Sequence, residues 1–390
     1  MTLPRTVVVV GGTGAFGERL VRGLVATTDL RVVVAARGSA RAQALADGLA
    51  PACTTPACTM TGRVTAVRLE VEAVDAAALR ALDAWAVVDA AGPFRAGRHG
   101  LARAAIAAGA HYLDLADGRA FVAGFADALD AAARAAGVVA LTGCSSTPAL
   151  SCAALDHLTA GWARVDAVEV AILPGNRAPR GLAVMRSILG WAGQPVRVFL
   201  DGRWVERPGW GLTRRNRVPG LGPRWSALAE TPDLDQVPAR YRVRRSSMFR
   251  AGLEQPLLHL GLLLASLPVR AARACGLRLD LAPAAPLLRW MAGLVHGLGT
   301  DRGGMVAEAA GLDAAGQPLR RRWILVAEAG DGPVIPTLPA LAVLRLLDAG
   351  CLIAPGARPC VDVLTLDAIA AEFAPYRITT TVDESRTDQG

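Results

Sequence analysis

Up to Thr142 the chain alternates short apolar, β-branched runs with longer stretches in which apolar positions recur at helical spacing. The runs predict strands over 6–10, 30–36, 64–71, 86–90, 111–115 and 138–142, and the stretches predict helices over 14–26, 39–49, 75–82, 97–108 and 120–136. Strands alternating with helices of this length imply right-handed βαβ units and a parallel sheet covered on both faces. Beyond Ser151 the rhythm breaks without a Gly/Ser-rich linker. A strand over 167–173, a helix over 182–192 and paired strands over 194–206 are expected there, followed by a stretch at 207–223 whose Pro, Gly, Arg and Trp suit an ordered loop or lid. Apolar helices over 257–275 and 286–298, a hairpin over 305–328, a helix over 338–347 with an apolar face that requires a partner, and a strand and helix over 360–373 complete the pattern.

Composition sharpens this. With 390 residues, 52% hydrophobic, 19% charged and a mean hydropathy of +0.34, the chain is excluded from the disordered class and has room for two or three domains. All 42 basic residues are arginine, which removes a Schiff-base lysine, a phosphate-loop lysine and a Tyr-x-x-x-Lys pair at once. The net charge of +8 speaks to solubility and weak association rather than to a site. Seven cysteines do not read as a disulfide framework, and Cys53 with Cys58 lacks a second ligand pair at zinc-like spacing, so reduced thiols and no metal are expected. The amino-terminal apolar run is too short for a signal-peptide core, and the oily stretch at 253–267 is interrupted by Glu254, Gln255, Pro256 and His259. A cytoplasmic location and no transmembrane segment are expected, with contact at a lipid surface as the sharper reading of the oily stretches.

The chemistry begins at Gly11, Gly12, Thr13, Gly14, Ala15, Phe16 and Gly17, which follow a predicted strand and open a helix. Gly12, Gly14 and Gly17 fit G-x-G-x-x-G: a tight turn, a bare backbone for a pyrophosphate, and a helix amino end whose free N–H groups favour negative charge. About 20 residues on, where an NAD-binding chain places an acid for the ribose 2′-hydroxyl, stand Arg37, Gly38 and Ser39 with Arg41 close behind. A planar guanidinium matches a 2′-phosphate, so NADP(H) is the expected cofactor. Glu70, at the end of the third predicted strand, is placed to face the adenine.

Short-chain dehydrogenases share the Gly-Gly-Thr-Gly loop, but four residues beyond Tyr112, Tyr241 and Tyr376 lie Ala116, Arg245 and Thr380, so their catalytic pair is absent. The segments Val88-Asp89-Ala90-Ala91-Gly92-Pro93-Phe94, Ala107-Ala108-Gly109-Ala110-His111-Tyr112-Leu113-Asp114-Leu115 and Gly143-Cys144-Ser145-Ser146-Thr147-Pro148 resemble instead the saccharopine dehydrogenase-like NADP-binding oxidoreductases. The likeness covers most of 1–160 and resumes at Gly299-Thr300-Asp301-Arg302-Gly303-Gly304-Met305, at 332–336 and at 356–360. It implies that Ala91, Gly92, Pro93 and Phe94 line the nicotinamide ribose, and that Gly143, Cys144 and Ser145 begin the passage into a second domain close to the substrate. It also implies an α/β fold made of a Rossmann-type parallel-sheet domain over 1–151, a second α/β (α+β) substrate or dimerisation domain over 152–335, and a C-terminal segment over 336–390 that returns to the first. A homodimer is compatible with that scheme.

Hydride transfer needs orientation, exclusion of water and a proton donor, so no triad need show in the sequence. His111, Tyr112, Asp114 and Asp117 are the candidate donors near the carboxyl edge of the sheet, although such residues also satisfy backbone groups. The stretch 203–250 holds 11 of the 42 arginines, interleaved with Trp204, Trp210 and Trp225. No nucleic-acid module accompanies it, so an anionic substrate or a solvated rim is expected there rather than nucleic acid. The function read from these residues is NADPH-dependent reduction of a C=N, C=O or activated C=C bond in a small molecule. The rival is a non-enzymatic NADP(H)-binding sensor or regulatory protein.

Overall fold

The computed structural model describes residues 4–49, 62–179, 181–351 and 353–386; Cys53 and Cys58 lie outside them. Two compact units are present, Met1–Leu150 with Val334–Glu372, and Ser151–Pro333 with Phe373–Gly390. In chain order the elements begin β1 (Thr6–Val10), α1 (Gly17–Thr27), β2 (Arg31–Ala36), α2 (Ser39–Leu49), β3 (Val64–Arg68), α3 (Ala76–Ala81) and β4 (Ala84–Asp89). Then come α4 (Gly100–Ala108), β5 (His111–Asp114), α5 (Arg119–Ala123), α6 (Phe125–Ala135), β6 (Val139–Thr142), α7 (Ser151–Thr159), β7 (Arg164–Leu173) and α8 (Leu182–Trp191). The middle continues with β8 (Pro195–Leu200), β9 (Arg203–Pro208), β10 (Arg214–Val218), β11 (Gly222–Leu228), α9 (Asp233–Tyr241), β12 (Ser246–Leu253), α10 (Pro256–Ala274) and α11 (Ala285–Leu294). The last are β13 (Gly303–Leu312), β14 (Pro318–Ala327), α12 (Leu338–Asp348), β15 (Gly356–Pro359), α13 (Leu366–Ala370) and β16 (Ile378–Arg386).

In the first unit a parallel sheet runs β15-β6-β5-β4-β1-β2-β3. Val7, Val8, Val9 and Val10 are all buried, as expected of a strand covered on both faces. The chain winds outward from β1 to β3 and then restarts at β4 on the other side of β1, so the strand order reverses between β1 and β4. Such a reversal leaves a crevice beyond the carboxyl ends of the strands. Helix α12 packs on α1 within this unit, where Arg345 pairs with the buried Glu372 at 2.7 Å and reaches Thr27 O at 3.1 Å.

The second unit is a mixed sheet, β10-β11-β12-β7-β13-β14-β16, with β8 and β9 attached through β12. Two expectations are corrected here. The stretch 207–223 is not a loop or lid: most of it forms β9, β10 and the start of β11, because Asn216 and Val218 turn inward and the buried Asn216 amide is satisfied by Ser226 Oγ at 2.6 Å. The tail does not return as a whole to the first unit, since β16 pairs along β14 from Ile378↔Ala327 to Arg386↔Leu319. A β-branched run, Ile378-Thr379-Thr380-Thr381-Val382, covers what would otherwise be an open edge of β14.

The arginine-rich stretch is partly consumed inside this unit. Arg214 reaches Glu169 at 2.7 Å, Arg250 shares that carboxylate at 3.1 Å, and Arg240 holds Asp156 at 2.9 Å.

Candidate dinucleotide site

The carboxyl end of the parallel sheet is a row set by register. Val10 pairs with Asp89, Asp89 with Asp114, and Pro359 with Thr142, which follows Leu141, the partner of Leu113. The glycine loop leaves this row from β1. Gly11 N and Gly12 N both donate to Ala35 O, at 2.9 and 3.1 Å, and Gly14 N donates to Gly11 O at 2.8 Å, closing the turn. A Cβ on Gly17 would lie 2.2 Å from Gly11 O, so that glycine lets α1 approach the turn. A Cβ on Gly14 would meet Gly11 O at 3.0 Å and nothing else within 4 Å, so its other sides are open. No side chain caps the amino end of α1 at Phe16, and of its first-turn N–H groups Glu18 N donates to Gly14 O at 3.0 Å. Thr13, Gly14 and Phe16 are half-buried and Ala15 is exposed.

Arg37, Gly38 and Ser39 are exposed just past β2, two and more residues beyond the carbonyl that anchors the loop. Arg37 has no ion pair among the described residues, whereas Arg41 Nη2 lies 3.8 Å from Glu18 Oε2. Arg22 holds the same carboxylate at 2.9 Å. Glu70 is exposed beyond β3 and lies 3.5 Å from Arg68 Nη2.

On the other side of the crevice, Ala91 and Phe94 are half-buried and Gly92 and Pro93 exposed. Their turn is held by Asp89, which accepts from Ala91 N at 2.8 Å. Gly143, Cys144 and Ser145 are buried, and Asp114 holds them: its Oδ1 accepts from Gly143 N at 2.8 Å, Thr142 Oγ1 at 2.9 Å and Ala116 N at 3.0 Å.

The four proposed donors do not form one group. His111 is the first residue of β5, at the amino edge of the sheet, where Nδ1 accepts from Val139 N at 3.1 Å and the ring meets Trp85 edge-on. Placing it near the carboxyl edge is therefore corrected by strand direction. Its pKa is lowered by burial and then by Arg5. Tyr112 is buried in the core, its hydroxyl 3.5 Å from Asp89 Oδ2, and burial together with Asp114 and Asp89 raises its pKa well above the usual value. Asp114 is fully buried at the carboxyl edge, and Asp117 is exposed there. Asp89 and Thr142 were not singled out as site residues. The available signal was a polar residue closing each of three strands that turn out to be adjacent.

Burial pushes the Asp114 carboxyl up to about 7 against its three hydrogen bonds, and pushes Asp89 up to about 6 against the Ala91 and Tyr112 bonds. The folded state thus keeps protons that the unfolded chain has released. Stability from these groups is present below about pH 4 and is lost as pH rises through the folded values. Asp114→Asn, which cannot ionise, is expected to gain on the parent by up to a few kcal/mol as pH rises from about 4 to 7. Melting temperatures of both proteins across that range test it; a constant difference would show that Asp114 does not titrate in this window.

Residues 7–141 match the family described as the saccharopine dehydrogenase NADP binding domain. The fold of the chain is similar to that of apo saccharopine dehydrogenase (L-Glu forming) from Saccharomyces cerevisiae, with a TM-score of 0.66 and 15% identity over 98% of this chain and 100% of that one. GenD2 from gentamicin A biosynthesis, in complex with NAD, aligns with a TM-score of 0.41 and 15% identity over 96% of this chain and 92% of that one. No curated protein sequence matches the chain. The saccharopine dehydrogenase-like fold thus joins a Rossmann-type sheet to a second, mixed-sheet unit.

Proposed function

We propose that the chain is an NADPH-dependent oxidoreductase that reduces a C=N, C=O or activated C=C bond of a small molecule. The observation that carries the reading is the glycine loop at the strand-order reversal, open at Gly14 and facing an uncapped helix amino end. In this reading the backbone from Gly11 to Gly17 receives the pyrophosphate, Arg37 with Gly38 and Ser39 receives the 2′-phosphate, and Ala91 to Phe94 with Gly143 to Ser145 border the nicotinamide. Bound NADPH supplies the hydride. The protein orients it and excludes water through turns that Asp89 and Asp114 hold in place.

Arg37→Ala is expected to weaken NADPH binding roughly ten- to a hundred-fold and to leave NADH binding unchanged, as loss of a charge-assisted phosphate contact requires. Titration with both cofactors decides it, because an equal loss for the two would mean that Arg37 does not read the phosphate.

What speaks for the sensor reading is that three of the four donor candidates are not available at the carboxyl edge: His111 lies at the amino edge and Tyr112 and Asp114 are buried, which leaves Asp117. A screen of imines, carbonyls and enoyl compounds for NADPH oxidation separates the two. Turnover of any class supports the enzyme, binding without turnover across all three supports the sensor, and no NADPH binding removes both.

A further inference from the structure

We infer that the outward faces of α10 and α11 form a docking surface for an anionic lipid bilayer. Both helices use their inner faces to cover one core cluster: Leu258 and Leu262 of α10 and Ala285 of α11 are buried with Met185, Leu189 and Trp210. A helix with one face in a protein core ordinarily turns polar side chains outward. These do not. On α10 the outward positions are Leu257, Leu260, Leu264 and Leu267, at helical spacing, and Leu264 is 64% exposed. On α11 they are Leu287, Trp290 and Leu294, with Trp290 63% and Leu294 66% exposed. Apolar surface on this scale marks a contact rather than a solvated face.

Charge selects the occupant. The segment 256–299 carries Arg270, Arg273, Arg278 and Arg289, all exposed, against a single acid, Asp280, whose Oδ1 already accepts from Ala282 N at 2.8 Å. Arg273 is 3.9 Å from Glu206, which leaves Arg270, Arg278 and Arg289 without a carboxylate partner among the described residues. A second copy seated on the same face would bring these cations against their equivalents across a twofold axis. Anionic headgroups would neutralise them while the leucines enter the acyl boundary and Trp290 sits at headgroup depth. Although α10 spans 19 residues and is apolar enough to cross a bilayer by composition, its Leu258, Leu262 and Val269 belong to the protein interior, so it lies on the membrane.

The test is flotation of the full chain with phosphatidylcholine vesicles, with and without about 30% phosphatidylglycerol. Binding is expected to the anionic vesicles and to weaken in about 0.5 M salt. The double variant Leu264→Glu with Leu294→Glu is expected to bind at least about tenfold more weakly. Arg278→Gln and Arg289→Gln should each cost roughly fivefold, on anionic vesicles alone. NADPH affinity and melting temperature measured on the same variants show that they are folded. Absence of the parent from both vesicle fractions overturns the inference. So does a dimer by light scattering that Leu264→Glu converts to monomer while vesicles bind neither, which would make this face a contact between copies.

Discussion

Gly14→Val is expected to abolish NADPH binding, with a loss of more than about a hundredfold in affinity, while the chain remains folded. Gly14 is the loop glycine whose added Cβ would have open space, meeting Gly11 O at 3.0 Å and no other atom within 4 Å, and its φ lies outside the left-handed region. The valine therefore projects into the room in front of α1, where a pyrophosphate must approach the backbone. Gly17→Ala is the contrasting variant: its Cβ would stand 2.2 Å from Gly11 O and 2.9 Å from Gly12 Cα, backbone atoms that cannot move aside without opening the turn. That variant should lose stability first and binding as a consequence. Fluorescence titration with NADPH, alongside a thermal melt of each protein, separates the two. Normal affinity in folded Gly14→Val would remove the loop as the cofactor site.

Glu254→Ala is expected to destabilise the second unit by about 3–5 kcal/mol, because it strands a buried guanidinium. Arg224 has a side chain only 4% exposed and reaches Glu254 Oε1 at 2.8 Å, while Glu254 Oε2 accepts from Asn176 N at 2.5 Å and Thr300 N at 2.9 Å. The Thr300 hydroxyl closes the knot on Oε1 at 2.9 Å. Burial alone would raise the Glu254 pKa, yet the bonds from Asn176 and Thr300 and the charge of Arg224 outweigh it and hold the carboxyl low. Its contribution is accordingly present at neutral pH and is lost as pH falls through the folded value. Urea unfolding at pH 7 measures the effect, and a loss below about 1 kcal/mol would show that the pair is not coupled to folding. The Gly299 to Met305 segment, which carried part of the family resemblance, thus has a structural use: Thr300 orders a buried ion pair.

How much of this was legible depends on how far each interaction reaches along the chain. The run Val7 to Val10, the glycine turn and the start of α1 involve neighbours within a few residues, so residue type alone specified strand, turn and helix end. Arg37 stands out in the sequence for the same reason, since it directly follows the very next strand. His111 was misplaced although its position was available, because in a parallel sheet the first residue of β5 must lie at the amino edge, about 10 Å from the last. Asp114 was found as chemistry and proves to hold the Gly143 turn across two strands, a pairing that only the register supplies.

The second unit was less legible because its contacts are distant. The stretch 207–223 read as loop because it is rich in Pro, Gly, Arg and Trp, and the partners that tie its Arg214 into the sheet, Glu169 from β7 at 2.7 Å and Glu308 from β13 at 3.4 Å, lie far away in the chain. β16 carried a clear β-branched run, but nothing in it names β14 as partner. By itself the sequence determined the elements whose hydrogen bonds and turns close locally, together with a glycine-rich turn at a helix amino end and an arginine just past the next strand. Tertiary structure decided strand order, register and which polar residues share a carboxyl edge, because those depend on pairing free energies between segments far apart in the chain that local propensity does not contain.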